Sequence, residues 1–492
     1  MTLAARPECM LIAALAAPFL AALVIPLFRD RPNLRETVTL VASVVLCGAV
    51  VALLGPVLGG ARPEWSVIEV LPGLAFAFRV EPLGMLFALV ASSLWIVNSI
   101  YSIGYMRAHD EPRQTGYYVC FAIALGSTIG LAFAKNLFTL FLFYEALTLS
   151  TYPLVTHRRD GESMASGRLY LVLLLGSSLV LFLPAIIATF VLAGTTDFAA
   201  GGILGGKTTA GMLAVLLALY VFGIGKAALM PLHFWLPAAM VAPTPVSALL
   251  HAVAVVKAGV FTVAKVVIYV FGLDTLAASG ASGWLVYVAS FSLLAASLVA
   301  LTRDNLKARL AYSTVSQLAY VVLGAALAST ASLTGSGVQI AMHAAGKITL
   351  FFCAGAIQVA AHKTQVSQLD GIGRRMPVTM LAFLIGSLSI IGIPPTGGSW
   401  SKWFLALGAI ESGYLFVVGV LMLSSLLNVV YLLSIVGRAF FVPVPGGSGP
   451  VKMAEAPIAC LVPLCATALL CLVLFFQVDL VLALVSAAVK GG

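Results

Sequence analysis

Five lysines stand where lysines are costly. Lys226, Lys257, Lys265, Lys347 and Lys402 each interrupt an apolar stretch, in FGIGKAALMPL, AVVKAGVFTVAKVVIYVF, MHAAGKITLFF and SWSKWFLAL. A charged side chain at the middle of a bilayer costs roughly 2.5–3.5 kcal/mol on insertion scales, so such residues persist mainly where they work. Arginine stays protonated under almost all conditions, whereas a desolvated lysine can release its proton near neutral pH. The exclusive use of lysine therefore points to proton handling rather than to fixed charge.

The other titratable groups complete this picture. In LFTLFLFYEALTLSTYPL, Glu145 stands near the middle of its stretch while the remaining acids lie in loops or near ends. It is the expected counter-charge of Lys226, with a structural carboxylate bonded to a neighbouring helix as the alternative. His251 precedes Lys257 by six residues, which on a regular helix places them on different sides, as successive stations. His343 and Lys347 are four apart and share one helix face, the pattern of a relay. Lysine is not a usual zinc ligand, and neither cysteine nor carboxylate joins that pair, so no metal is expected there. Lys265 is placed to snorkel to the far interface, and His233 to serve either the path or the interface. Ser313, Thr314, Ser316 and Gln317 suit ordered water or helix-to-helix hydrogen bonds equally.

These residues are carried by an all-α polytopic membrane protein. Of 492 residues 61% are hydrophobic and 9% charged, far from the composition of a soluble domain. About fourteen apolar runs of spanning length fill the chain as a single transmembrane domain. Residues 10–105 form N-terminal helices, 117–271 and 284–436 two five-helix units, and 458–489 a C-terminal helix. The net charge of +9 is not a nucleic-acid surface, because the cations fall between spans. Sixteen of the 27 Lys and Arg residues, among them Arg35, Arg107, Arg113, Arg158, Lys307, Arg438 and Lys452, follow odd-numbered spans. By the positive-inside rule those loops face the cytoplasm of a bacterial inner membrane and both termini face outward. Seven scattered cysteines without a CxxC pair suggest neither an iron–sulfur cluster nor a disulfide framework, and no cofactor is expected.

Two spans are interrupted by prolines, at Pro231 and Pro237 and at Pro394 and Pro395, and each carries a lysine beside the break. Broken helices, one in each half, suggest a transporter of two inverted repeats. The motifs FYEALTLSTYPL, GKAALMPLHFWLPAAMVAPTPVSALLHA, LAYSTVSQ, HAAGK and GIPPTGGSWSKWF identify the family that the chain resembles. It is the antiporter-like membrane subunits shared by respiratory complex I, Mrp-type cation/proton antiporters and membrane-bound hydrogenases. The resemblance implies about fourteen helices with two inverted five-helix repeats. It also implies a pairing of Glu145 with Lys226, and a central relay of His251, Lys257, His343 and Lys347 ending at Lys402. One position departs from the pattern, Ala238 in LPAAM where many members carry an acid. The short tail after the last span is similar to the Mrp D-like and hydrogenase-like branch.

The expected function is proton translocation within a multisubunit membrane complex, coupled either to cation antiport or to redox chemistry in partner subunits. A Na+ or K+/H+ antiporter module without redox partners, and a scaffold that transports nothing, are the alternatives. The scaffold has no use for costly titratable helices.

Overall fold

The computed structural model describes residues 6–443 and 453–490, so Lys452 lies outside the described residues. The first half comprises α1 (Pro7–Val24), α2 (Pro32–Leu58), α3 (Pro82–Ala108), α4 (Gln114–Ala132), α5 (Leu137–Val155), α6 (Gly161–Ser177), α7 (Leu183–Ala193), α8 (Ala210–Gly223), α9 (Trp235–Ala238), α10 (Thr244–Ala248), α11 (Val255–Val266) and α12 (Leu273–Ser279). The second comprises α13 (Gly283–Thr302), α14 (Leu306–Ala326), α15 (Thr330–Ala361), α16 (Ile372–Arg375), α17 (Pro377–Ile391), α18 (Gly398–Glu411), α19 (Leu415–Phe441), α20 (Ile458–Phe476) and α21 (Val478–Lys490). Among the described residues eleven helices are long and apolar enough to cross a membrane, and α8 and α17 are shorter apolar helices.

Helices are forced here because a bilayer offers backbone groups no partners other than those the segment provides. Most spanning helices keep one face for lipid, as the exposed Val41, Val44, Val45 and Val51 of α2 show. The stretch Thr244–Phe271 and α15 do not: their apolar windows are wholly buried inside protein. They form the centre of the molecule, and their ionisable groups meet protein instead of acyl chains.

Three features depart from the sequence reading. The chain is not entirely helical, since β1 (Glu64–Leu71) and β2 (Leu74–Arg79) form an antiparallel hairpin between α2 and α3. The C-terminal helix is two helices, α20 and α21, the second burying Val478, Val481, Leu484 and Val485 on one side. The span carrying His251 is not regular either. A π-helical turn over Leu249–Val253 lies between α10 and α11, and Ala254 leaves helical geometry at φ −116°, ψ −74°. The regular-helix angle between His251 and Lys257 therefore does not apply.

The loops sort to two ends. At one, Arg35 donates to Thr115 and Gln114, Arg113 to the His157 carbonyl, Lys307 to the Ala242 carbonyl, and Arg438 pairs with Asp370. Burial, reinforced by the Arg113 guanidinium, pushes His157 down to about 4, so it is neutral there at pH 7. At the other end, Lys135 bridges Glu64 and Asp197, and Arg79 binds Glu81 and the Phe198 carbonyl.

Candidate functional site

The first break follows α8. After Gly223 a 3-10 turn over Gly225–Ala227 carries Lys226, and the chain runs on irregularly to α9. Such backbone is tolerated at membrane depth only inside protein, and its freed groups find partners. Trp235 Nε1 donates to the Gly225 carbonyl at 3.0 Å, and the Lys226 amide donates to the Tyr144 hydroxyl at 3.1 Å. Gly259 of α11 lies against the Lys226–Ala227 peptide so closely that a Cβ there would overlap it. This contact sets the break beside the helix that holds Lys257.

The Lys226 side chain is fully buried. Its Nζ donates to the Tyr144 carbonyl at 2.8 Å and to Thr148 Oγ1 at 2.5 Å, and lies over the Tyr144 ring. It is not ion-paired with Glu145, as the sequence led us to expect. Both Glu145 carboxylate oxygens are buried without a hydrogen-bond partner among the described residues. The reason is rotational: Tyr144 and Thr148 share the face of α5 that meets the break, and Glu145 is turned about 100° from Tyr144.

In the centre, Lys257 Nζ lies 2.6 Å from His343 Nδ1, a contact between α11 and α15. Lys347, one turn on from His343, reaches α14 instead and donates to the Leu310 carbonyl at 3.1 Å and Ser313 Oγ at 2.7 Å. Ser313 in turn accepts from the Tyr431 hydroxyl at 2.8 Å, which also meets Asn428 of α19. His251 is buried against the Phe351 ring, with neither ring nitrogen bonded. Its neighbourhood is π-helical.

The second break lies between α17 and α18. Lys402, in the first turns of α18, folds back to donate to the Ile391 carbonyl at 2.5 Å and to Ser425 Oγ of α19 at 2.8 Å. Gly392 adopts φ +86°, and a Cβ there would meet Lys402 Cδ at 2.7 Å, so glycine is needed twice over. Between this break and the centre, Gln339 Nε2 donates to Gln317 and Ser401 donates to Gln339, while Ser316 meets Ser297. Of the α14 polar residues, Ser316 and Gln317 bind helix to helix, and Ser313 contacts Lys347 and Tyr431.

One further expectation from the sequence needs revision. Lys265 does not snorkel: its side chain is 0% exposed and its Nζ lies 3.1 Å from Glu81 Oε2. His233 is buried in the first break beside Phe234 and Tyr312, without a bond at Nδ1. Sequence reasoning missed Thr148, Tyr144, Ser425, Asn428 and Tyr431. All are polar groups within apolar helices, and Tyr144/Thr148 at i, i+4 flanking Glu145 was the available signal.

This arrangement has relatives. The family described as NADH:quinone oxidoreductase/Mrp antiporter, TM matches residues 134–428, which include every residue of the relay. The chain is 31% identical over 455 residues to the NADH-quinone oxidoreductase subunit N of Desulforudis audaxviator, covering 88% of each. It is 32% identical over 343 residues to hydrogenase-4 component B of Escherichia coli, covering 66% of this chain and 50% of that one. The match thus spans about half the length of the second relative. The fold is similar to that of a chain in the Mrp complex from Dietzia sp. DQ12-45-1b, with TM-score 0.85, 23% identity and coverage of 100% and 97%.

Proposed function

The chain belongs to the NADH:quinone oxidoreductase/Mrp antiporter transmembrane family, and from that premise we propose that it moves protons across a bacterial cytoplasmic membrane as one subunit of a larger complex. Protons are taken up from the Arg-rich, cytoplasmic end near Lys226. They pass through Lys257, His343 and Lys347 with His251 beside them, and leave outward near Lys402. Both termini then face outward. Glu145 sets the charge of the first station.

The observation that carries this reading is the bonding of the lysines. Lys226, Lys347 and Lys402 each donate to one backbone carbonyl and one hydroxyl, and Lys257 to a histidine. A hydroxyl or imidazole partner can exchange donor and acceptor roles as the lysine gains or loses its proton, which a carboxylate partner cannot do without being left bare. Na+ or K+ would need several oxygen ligands, and ammonium groups repel it. Partner membrane subunits supply the driving reaction, either cation exchange or electron transfer.

Lys402→Ala tests the reading. In vesicles holding the whole complex, the variant should assemble normally and lose proton uptake. Transport near the wild-type rate would remove Lys402 from the path.

A further inference from the structure

Lys257, Phe261 and Lys265 follow at intervals of four along α11 and so share a face of that helix. Lys265 closes the row at the outward end. Its Nζ lies 3.1 Å from Glu81 Oε2, donates to the Ala134 carbonyl at 2.8 Å and sits 4.4 Å from the centre of the Phe198 ring. The other Glu81 oxygen accepts from Arg79 Nε at 3.1 Å and Nη2 at 2.7 Å, and Arg79 donates further to the Phe198 carbonyl. One carboxylate thus serves two cations. The inner cation, Lys265, is sealed in protein, whereas the outer, Arg79, is 23% exposed.

Between the two lysines stands Phe261. Its ring packs on Phe87 of α3 at 4.9 Å between centroids, and both rings are fully buried. A dry aromatic pair between two protonatable groups is a barrier to water, and therefore to protons, for as long as the rings stay together.

We propose that this row is a second outward outlet for protons, located in the first half and held shut by Phe261 on Phe87. The proposal rests on the proton reading above. Lys265 releases one proton to outward water beside Arg79 and becomes a neutral amine. When Phe261 leaves Phe87, water enters, and the Lys257 ammonium passes one proton along it to Lys265. Each step moves a single proton and leaves its donor neutral. Arg79 keeps Glu81 paired throughout, so no bare carboxylate is stranded in the interior while Lys265 is neutral. A brace fastening α11 to the start of α3 needs only Lys265 and Glu81, and Arg79 of β2 is the additional cation that lets Lys265 become neutral.

The test is passive leak. Vesicles holding the whole complex are given a pH gradient with no driving reaction, and its decay is followed with a trapped pH-sensitive dye. Phe261→Ala should speed the decay about tenfold over wild type, since a dewetted constriction has lost its plug. Adding Lys265→Met should return it to the wild-type rate. A Phe261→Ala complex as tight as wild type, or a leak indifferent to Lys265→Met, overturns the proposal. If Phe261→Ala does not assemble, Phe261→Leu carries the same comparison, because it keeps bulk and loses the ring pair. Leak is read without driven transport, so an unexpected result with Lys402→Ala would sink the earlier reading and leave this one to its own outcome. Lys265→Arg separates outlet from brace in driven transport: a brace keeps the wild-type rate, and the outlet loses about half of it because arginine does not release its proton.

Discussion

At the two broken helices a lysine is held by the same kind of partners in opposite surroundings. Lys226 stands at the start of its break, is entirely enclosed, and lies one residue's turn from a buried carboxylate with no partner of its own. Lys402 follows its break, folds back onto the last carbonyl of α17 and is only half-buried, with Trp403 beside it exposed. The helix C-terminus carries partial negative charge, which holds a cation at Lys402 without any acid. Lys226 binds a carbonyl in the middle of α5 and has no such help. A nearby acid can therefore change the state of Lys226, whereas Lys402 is governed by its helix end and its access to the surface.

Magnitudes support this distinction. Two hydrogen bonds from an ammonium contribute about 1.5–3 kcal/mol each, comparable with the ~2.5–3.5 kcal/mol cost of a charge in the bilayer. Charged and neutral lysine then lie close in free energy, as a relay requires. A carboxylate at ~3 Å serving that lysine alone would add about 5 kcal/mol at an effective dielectric of 20 and lock the charged form, unlike Glu81 beside Lys265, which Arg79 neutralises as well. Lys226 has neutral partners and a displaced acid, which leaves the switch open to small movements of Glu145.

If the two breaks are the ends of one path, the residues between them act in series. His343→Ala and Lys347→Ala should each nearly abolish driven proton uptake, and the double variant should be little worse than either. Losses that multiply would make His343 and Lys347 separate structural contacts, and the two breaks independent. A smaller effect separates the breaks themselves. Thr148→Val removes one of two bonds to an enclosed lysine and should slow uptake about tenfold, since a bond to a charged group is worth about 1.5 kcal/mol or more. Ser425→Ala removes the corresponding bond at Lys402, where water and the helix end can substitute, and should slow it only about twofold. Equal effects would erase the difference drawn between the sites.

Much of this was legible in the chain because bilayer physics leaves few choices. The span Leu137–Val155 is bounded in the structure as its apolar run is in the sequence, whereas the C-terminal run from Ile458 divides into α20 and α21. The breaks were visible because proline removes a donor, as at Pro231 and Pro395. The hairpin was announced by the Pro72-Gly73 dipeptide between two short runs, a turn signal easily passed over among so many spans. The π turn at Leu249–Val253 left no mark, because an apolar run looks the same at either helical pitch. Long-range partners were equally silent. Composition could show that Lys265 and Glu81 existed, but no periodicity joins residues so far apart in sequence. The nearest acid in the same kind of environment, Glu145, drew the pairing with Lys226 that the geometry does not form.

The central claim is that Glu145 controls the proton on Lys226 without being its fixed partner. Glu145→Gln, measured for driven proton uptake and for thermal stability in the same preparation, tests it most directly. Because the carboxylate oxygens make no hydrogen bond, the neutral isostere should leave the melting temperature unchanged or slightly raised while uptake stops. Exchanging the charges, as Glu145→Lys with Lys226→Glu, should not restore uptake, since the order of groups along the path matters. Normal uptake in Glu145→Gln, or full recovery in the exchanged variant, would mean that the pair only fastens α5 to the break and that protons travel elsewhere.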